Sequence, residues 1–129
     1  MEIKIGVDII EVERIKKSIE NKGENFINKV FTQNEIDYCK NTKKMMYQHY
    51  AARFAVKEAT FKAISDLLKD KYCINWKNVE TIVKENGKPK INFIDLNMEV
   101  QRELEKIKSI DVSISHIEKL AIANVTILI

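Results

Sequence analysis

The sequence predicts an α+β fold, an antiparallel sheet packed against helices that include one long central helix. Three patterns carry this expectation. Apolar residues alternate near both ends of the chain, residues 45–68 form a long stretch without Gly or Pro, and Asn86-Gly87 separates two short runs of strand-forming residues.

The first strand is expected where Ile3, Ile5 and Val7 alternate with Glu2, Lys4 and Gly6, giving one buried face and an end at Asp8. Val12, Ile15 and Ile19 then recur at helical spacing among Glu11, Glu13, Arg14, Lys16 and Lys17, and Gly23 stops that helix. Phe26, Ile27 and Val30 continue as a short helix. Thr32-Gln33-Asn34-Glu35 has the capping-box form that starts a third, running toward Cys39. The longest helix spans 45–68, rich in Ala, Lys, Glu and Phe. After Trp76 the period shortens, and residues 79–84 and 90–94 read as a hairpin around Asn86-Gly87, with Pro89 opening the return strand. Leu96, Val100, Leu104 and Ile107 mark a further helix. Residues 111–115 and 120–129 close the fold as an antiparallel pair around Glu118-Lys119.

A chain of 129 residues lies in the usual range of one domain, and no linker, repeat or low-complexity tract divides it, so a single domain over 1–129 is expected. With 45% hydrophobic and 32% charged residues it has the balance of a globular protein. The start of the chain lacks a leader pattern and no apolar run reaches the roughly 20 residues of a membrane span, so no membrane is expected as a partner. Cys39 and Cys73 lack metal-ligand spacing and read as reduced thiols, which points to a cytoplasmic setting. The net charge of +3 favours anionic partners without choosing among them.

Chemistry concentrates between Ala51 and Lys62. At 3.6 residues per turn Glu58 stacks with Lys62, and Arg53 with Lys57, giving two polar stripes beside an apolar one. On the helix alone these are ordinary i,i+4 pairs, each contributing about 0.2–0.5 kcal/mol. Asp8 changes the balance. A carboxylate on a strand and a helical glutamate together supply two hard oxygen ligands for Mg²⁺, with positions left for water and phosphate oxygens.

Gly6-Val7-Asp8-Ile9, Arg53-Phe54-Ala55-Val56-Lys57-Glu58-Ala59 with Lys62 beyond it, Asn86-Gly87-Lys88-Pro89 and Ser113-Ile114-Ser115-His116 occur in that order across nearly the whole chain. This ordered set resembles the holo-acyl-carrier-protein synthase branch of the 4′-phosphopantetheinyl transferases. The resemblance implies the 4′-phosphopantetheinyl transferase fold, and transfer of the 4′-phosphopantetheine arm of coenzyme A to a serine of an acyl carrier protein in fatty-acid synthesis. Asp8 and Glu58 would hold Mg²⁺ against the pyrophosphate, and Lys62 would lie beside the transferring group. The same resemblance has Arg53 and His116 bind the 3′-phosphate of coenzyme A, with Gly87, Lys88 and Pro89 near the adenine. Lys44 would reach the 3′-phosphate from a neighbouring subunit, since the family builds its sites at the interfaces of a homotrimer. An acidic carrier helix calls for a basic counterpart, for which Arg14 and Lys17 are the first candidates and Lys22 and Lys29 could extend the patch.

The chain departs from the family pattern in three places. Residues 63–68 prolong the helical pattern where a glycine loop is usual, Ile117 follows His116 in place of threonine, and Phe61 stands where smaller residues are frequent. Three other classes fit the sequence less well. A nucleic-acid-binding module is disfavoured because Phe54 and Phe61 have helical core spacing rather than a stacking platform, so no nucleic-acid partner is expected. A metal-dependent phosphohydrolase tends to have a denser ligand cluster than two carboxylates. A catalytically silent interaction protein has no need of Asp8, Glu58 and Lys62 together.

Overall fold

The computed structural model describes residues 1–129. Five strands and five α-helices follow in the order β1 (Ile3–Glu11), α1 (Val12–Lys22), α2 (Glu24–Val30), α3 (Gln33–Asn41), α4 (Met46–Ile64), β2 (Val79–Val83), β3 (Pro89–Phe93), α5 (Met98–Leu104), β4 (Ser109–His116) and β5 (Leu120–Leu128). The expected α+β architecture is present, with two separate sheets. Strands β1, β5 and β4 form one antiparallel sheet in that spatial order, and β2 with β3 forms a second, two-stranded one.

Helix α4 lies across the larger sheet and packs on β1 and β5. Its Ala51, Ala52, Ala55, Ala59 and Ala63 are all buried, and these small side chains let the sheet backbone come close. Gly6 on β1 completes the approach: a Cβ there would stand 1.9 Å from the Ala59 carbonyl oxygen. One core fills the space between α4, α5 and the inner faces of β4 and β5, with Val56, Ile64, Val112, Val125 and Ile127 at its centre. A second joins α1, α2 and α3 to the first half of α4 around Phe31 and Tyr50.

Several local signals act as expected. Thr32 and Glu35 form a reciprocal capping box at the start of α3, and Gly87, at φ 84°, turns the β2–β3 hairpin. Other expectations need correction. Strand β1 does not end at Asp8 but runs to Glu11, because Ile9 and Ile10 keep pairing with β5. Its buried face is the opposite one: Ile3, Ile5 and Ile9 are 66%, 67% and 60% exposed, while Lys4, Gly6, Asp8 and Ile10 turn toward α4. The central helix is shorter than 45–68; it leaves α geometry after Ile64 in a 3-10 turn over Ser65–Leu67.

The polar stripes on α4 are also not both solvated. Lys57 is fully buried and pairs at 2.8 Å with Glu35, itself fully buried. The Lys57 ammonium also donates to the carbonyls of Trp76 and Val79. Glu35 accepts from the backbone N–H groups of Thr32 and Thr81, at 3.0 and 2.9 Å. One buried ion pair thus ties α3, β2 and the turn at Trp76 to α4, with its remaining donors and acceptors satisfied, as such a pair requires.

Candidate active site

Two elements bring the reactive side chains together. Strand β1 aims Asp8 inward from mid-strand, opposite Ala123 of β5, and α4 presents Glu58 and Lys62 one turn apart on the face toward β1. Asp8 and Glu58 line the same cavity of about 290 Å³, with Arg14, Ile15, Phe26 and Phe54 among its other walls. The Lys62 ammonium lies 3.3 Å from Asp8 Oδ1 and donates to the Val7 carbonyl at 2.9 Å. Burial first, and then the neighbouring Asp8 charge, hold the Glu58 carboxyl above its ordinary 4.5, against an opposing pull from Lys62.

The donor set tests the fit to a divalent cation. Two carboxylates face one hollow, Lys62 pairs with Asp8, Arg14 stands on the same wall, and no third acidic, His or Cys side chain joins them. Such a donor set suits Mg²⁺, which keeps water or phosphate oxygens on most of its positions.

A second cavity of about 190 Å³ lies where α3, α4, the hairpin turn and the end of β4 meet. Arg53, Gly87, Pro89 and His116 line it, so four of the residues expected to bind the nucleotide are gathered there. Arg53 is only 4% exposed, its Nε has no partner, and no carboxylate stands within ion-pair distance. Its guanidinium lies over the Tyr38 ring at 3.9 Å. A buried cation held by an aromatic face rather than an acid is suited to receive an anion from outside.

The remaining expected residues stand elsewhere. Lys88 is exposed on the hairpin turn and does not line this cavity, unlike its neighbours Gly87 and Pro89. Lys44 lines a separate hollow with Glu11, Lys16, Tyr47 and Lys119. Arg14 and Lys17 are both exposed on α1, but only Arg14 borders the Asp8 cavity. Lys22 and Lys29 border an adjoining groove of about 600 Å³ walled by Phe26, Phe54 and Trp76. His116 is the last residue of β4 rather than the first beyond it.

The sequence reasoning missed Tyr38, Gln48 and His49. His49 lies four residues before Arg53, so the spacing argument applied to Glu58 and Lys62 would have placed it one turn away. Trp76 was also passed over; it stacks on Phe54 at 4.9 Å and meets Phe61 edge-on at 5.5 Å, which accounts for the large residue at 61.

A strand carboxylate set against a helical Glu and Lys, beside a cationic pocket closed by a hairpin turn and a strand-end histidine, defines a class of transferase. Residues 4–124 match the model of the 4′-phosphopantetheinyl transferase superfamily, and the chain belongs to that family, in its holo-acyl-carrier-protein synthase branch. A holo-[acyl-carrier-protein] synthase of Ruminiclostridium cellulolyticum is 42% identical over 123 residues, covering 95% of this chain and 90% of that one. Among solved structures, the synthase of Neisseria meningitidis is similar with a TM-score of 0.80 at 25% identity, over 97% of both chains. The synthase of Bacillus anthracis, in complex with coenzyme A (3′,5′-ADP), gives 0.74 at 28% identity over 96% of this chain and 94% of that one.

Proposed function

We propose that this chain moves the 4′-phosphopantetheine arm of coenzyme A onto a serine of an apo-acyl carrier protein in fatty-acid synthesis, releasing adenosine 3′,5′-bisphosphate. Residues 1–129 act in this reading as one catalytic domain in the cytoplasm. The observation that carries it is the meeting of Asp8 and Glu58 on one cavity with Lys62 on Asp8. Its support from relatives is the named activity of the R. cellulolyticum protein and the coenzyme A complex of the B. anthracis one.

Asp8 and Glu58 would hold Mg²⁺, which when bound supplies a Lewis acid that neutralises pyrophosphate charge. The serine oxygen forms a bond to the β-phosphorus of coenzyme A while the bond from that phosphorus to the bridging oxygen breaks, and the bisphosphate leaves with the electron pair. Catalysis is then chiefly alignment and charge compensation. Lys62, exposed at the cavity edge, offsets charge on an oxygen of the transferring group. Glu58 accepts the serine proton. Arg53 and His116 bind the 3′-phosphate, and Gly87 and Pro89 border the adenine with Lys88 at the rim. Arg14 and Lys17 meet the acidic helix of the carrier, with Lys22 and Lys29 extending the basic edge.

The same reading makes the working unit a homotrimer. Ile3, Ile5, Val7 and Ile9 form an outward apolar row on β1, and Ile122 of the paired strand β5 joins them. An exposed sheet face of this kind calls for a cover. Lys44, away from the Arg53 cavity of its own chain, is free to serve the pocket of a neighbour.

Intact-mass measurement of an apo-acyl carrier protein incubated with the enzyme, coenzyme A and Mg²⁺ tests the proposal. A phosphopantetheine-sized gain that a chelator abolishes is the expected result. Release of bisphosphate without a carrier, or no mass gain with one, overturns it.

A further inference from the structure

The pocket that holds Arg53 contains more ionisable chemistry than one arginine and one histidine. His49 and His116 approach it from different elements, α4 and β4, with ring centroids 5.1 Å apart in an edge-on arrangement. Tyr38 packs against His49 at 5.4 Å from α3, and Arg53 stands one turn further along α4. The hairpin contributes Val83, Gly87 and Pro89, none of them charged. Within one chain the groups facing the imidazole pair are therefore Arg53 and the Tyr38 phenol, and no carboxylate lines the cavity; in the proposed trimer Lys44 of a neighbouring chain adds one more cation and no acid.

One contact fixes what the His116 ring can donate, and the other ring is unpartnered at Nδ1. His116 Nδ1 meets Gln48 Oε1 at 2.8 Å; an amide oxygen only accepts, so Nδ1 carries the hydrogen and Nε2 of the neutral ring is a bare lone pair. His49 Nδ1 is buried and has no partner. A phosphate oxygen is itself an acceptor and gains nothing from a bare imidazole nitrogen. It gains a charge-assisted hydrogen bond once that ring takes up a proton.

We propose that His49 and His116 form a proton-linked clamp for a phosphate monoester: anion entry beside Arg53 draws a proton from solvent onto the imidazole pair, Gln48 holds His116 in the orientation that receives it, and His49 is a further binding residue. In the empty pocket three cations would crowd together without a counter-charge. Burial first, and then Arg53 and His116, accordingly hold His49 below its ordinary 6.5. A dianion reverses that field. Binding then raises the proton affinity of the pair, and by linkage a lower pH strengthens binding. The gain accrues as pH falls from the value of the liganded pair to that of the free pair, and the free value of His49 lies below 6.5. One linked proton changes affinity by up to about tenfold per pH unit inside that window.

This clamp rests on the proposed function, because the monoester it would grip is the 3′-phosphate of coenzyme A and of the released bisphosphate. Titration calorimetry of the intact enzyme with adenosine 3′,5′-bisphosphate, run at pH 5.5 to 8.5 in two buffers of different ionisation enthalpy, measures proton uptake directly. Adenosine 5′-monophosphate, which lacks the 3′-phosphate, is the control. The expected result is uptake approaching one proton per bisphosphate, about tenfold or more tighter binding at pH 6 than at pH 8, and neither effect with the monophosphate. His49→Phe should flatten the pH dependence and lower the uptake. Bisphosphate binding with constant affinity and no uptake, proton release in place of uptake, or full uptake by His49→Phe overturns the clamp and leaves the transferase reading standing. Failure of the bisphosphate to bind at any pH overturns both.

Discussion

Gly6→Ala tests whether the close approach of β1 to α4 is what sets the reactive geometry. The added Cβ would stand 1.9 Å from the Ala59 carbonyl oxygen and 2.9 Å from the Ala63 nitrogen, whereas ordinary contact begins at 3.4 Å. Both atoms are backbone, so trimming a side chain on α4 cannot make room, and the strand must withdraw by roughly 1.5 Å. Asp8 lies two residues along on the same inward face and moves with it. The 3.3 Å contact to Lys62 is then lost and the two carboxylates part. Overpacking of this kind costs about 1–3 kcal/mol, or roughly 5–10 °C in melting temperature for a chain of this length. Misplacing a reacting group by about 1 Å costs on the order of a hundredfold in rate. Carrier modification followed by intact mass, with thermal unfolding in parallel, reads both numbers. Transfer within threefold of the parent at an unchanged melting temperature would refute the argument, since the strand would then have room that the structure denies it.

Glu58→Gln should lower transfer by about a hundredfold or more while the chain stays folded. The variant should also be more stable than the parent at pH 7, because a carboxyl raised above 4.5 costs stability once ionised, and the difference should vanish as pH falls below 4.5; a variant less stable at pH 7 contradicts the assigned cause. Lys57→Met strands Glu35 in the interior and should cost about 3–5 kcal/mol in denaturant unfolding, with Lys57→Met/Glu35→Gln recovering a large part of the loss. Equal instability of the single and double variants would show that the lysine matters for its carbonyl contacts alone. On the proposed trimer, Ile5→Lys puts a charge on the outward row of β1 and should give single chains by light scattering, and an unaltered mass would place the proposed subunit contact elsewhere.

Local signals in the sequence were read correctly where their cause is local. A capping box needs only residues 32 to 35, and an Asn-Gly turn flanked by β-branched residues needs only its own backbone preferences. Alternation in β1 was legible as a strand, but a period of two says nothing about which face is covered. Helix α4 approaches so closely that the inner positions take Gly6 and Asp8, and the branched residues fall on the open side. Lys57 looked like part of a solvated stripe because its partner lies 22 residues upstream, and no pattern on one helix announces a pairing made across the fold. Asp8, Glu58 and Lys62 were singled out from helical spacing together with an ordered set of motifs; the structure puts Asp8 and Glu58 on one cavity and Lys62 against Asp8. His49 was overlooked because the family motif begins at Arg53.

The strand that carries Asp8 divides its work by parity. Even-numbered side chains from Lys4 to Ile10 answer to the helix, odd-numbered ones from Ile3 to Ile9 to whatever lies outside. A systematic substitution scan along these residues should therefore oscillate with every step: bulk is penalised at even numbers, charge at odd ones, and no single residue is free to serve both neighbours. Evolution of the one contact can proceed without disturbing the other, although both are written into the same nine letters.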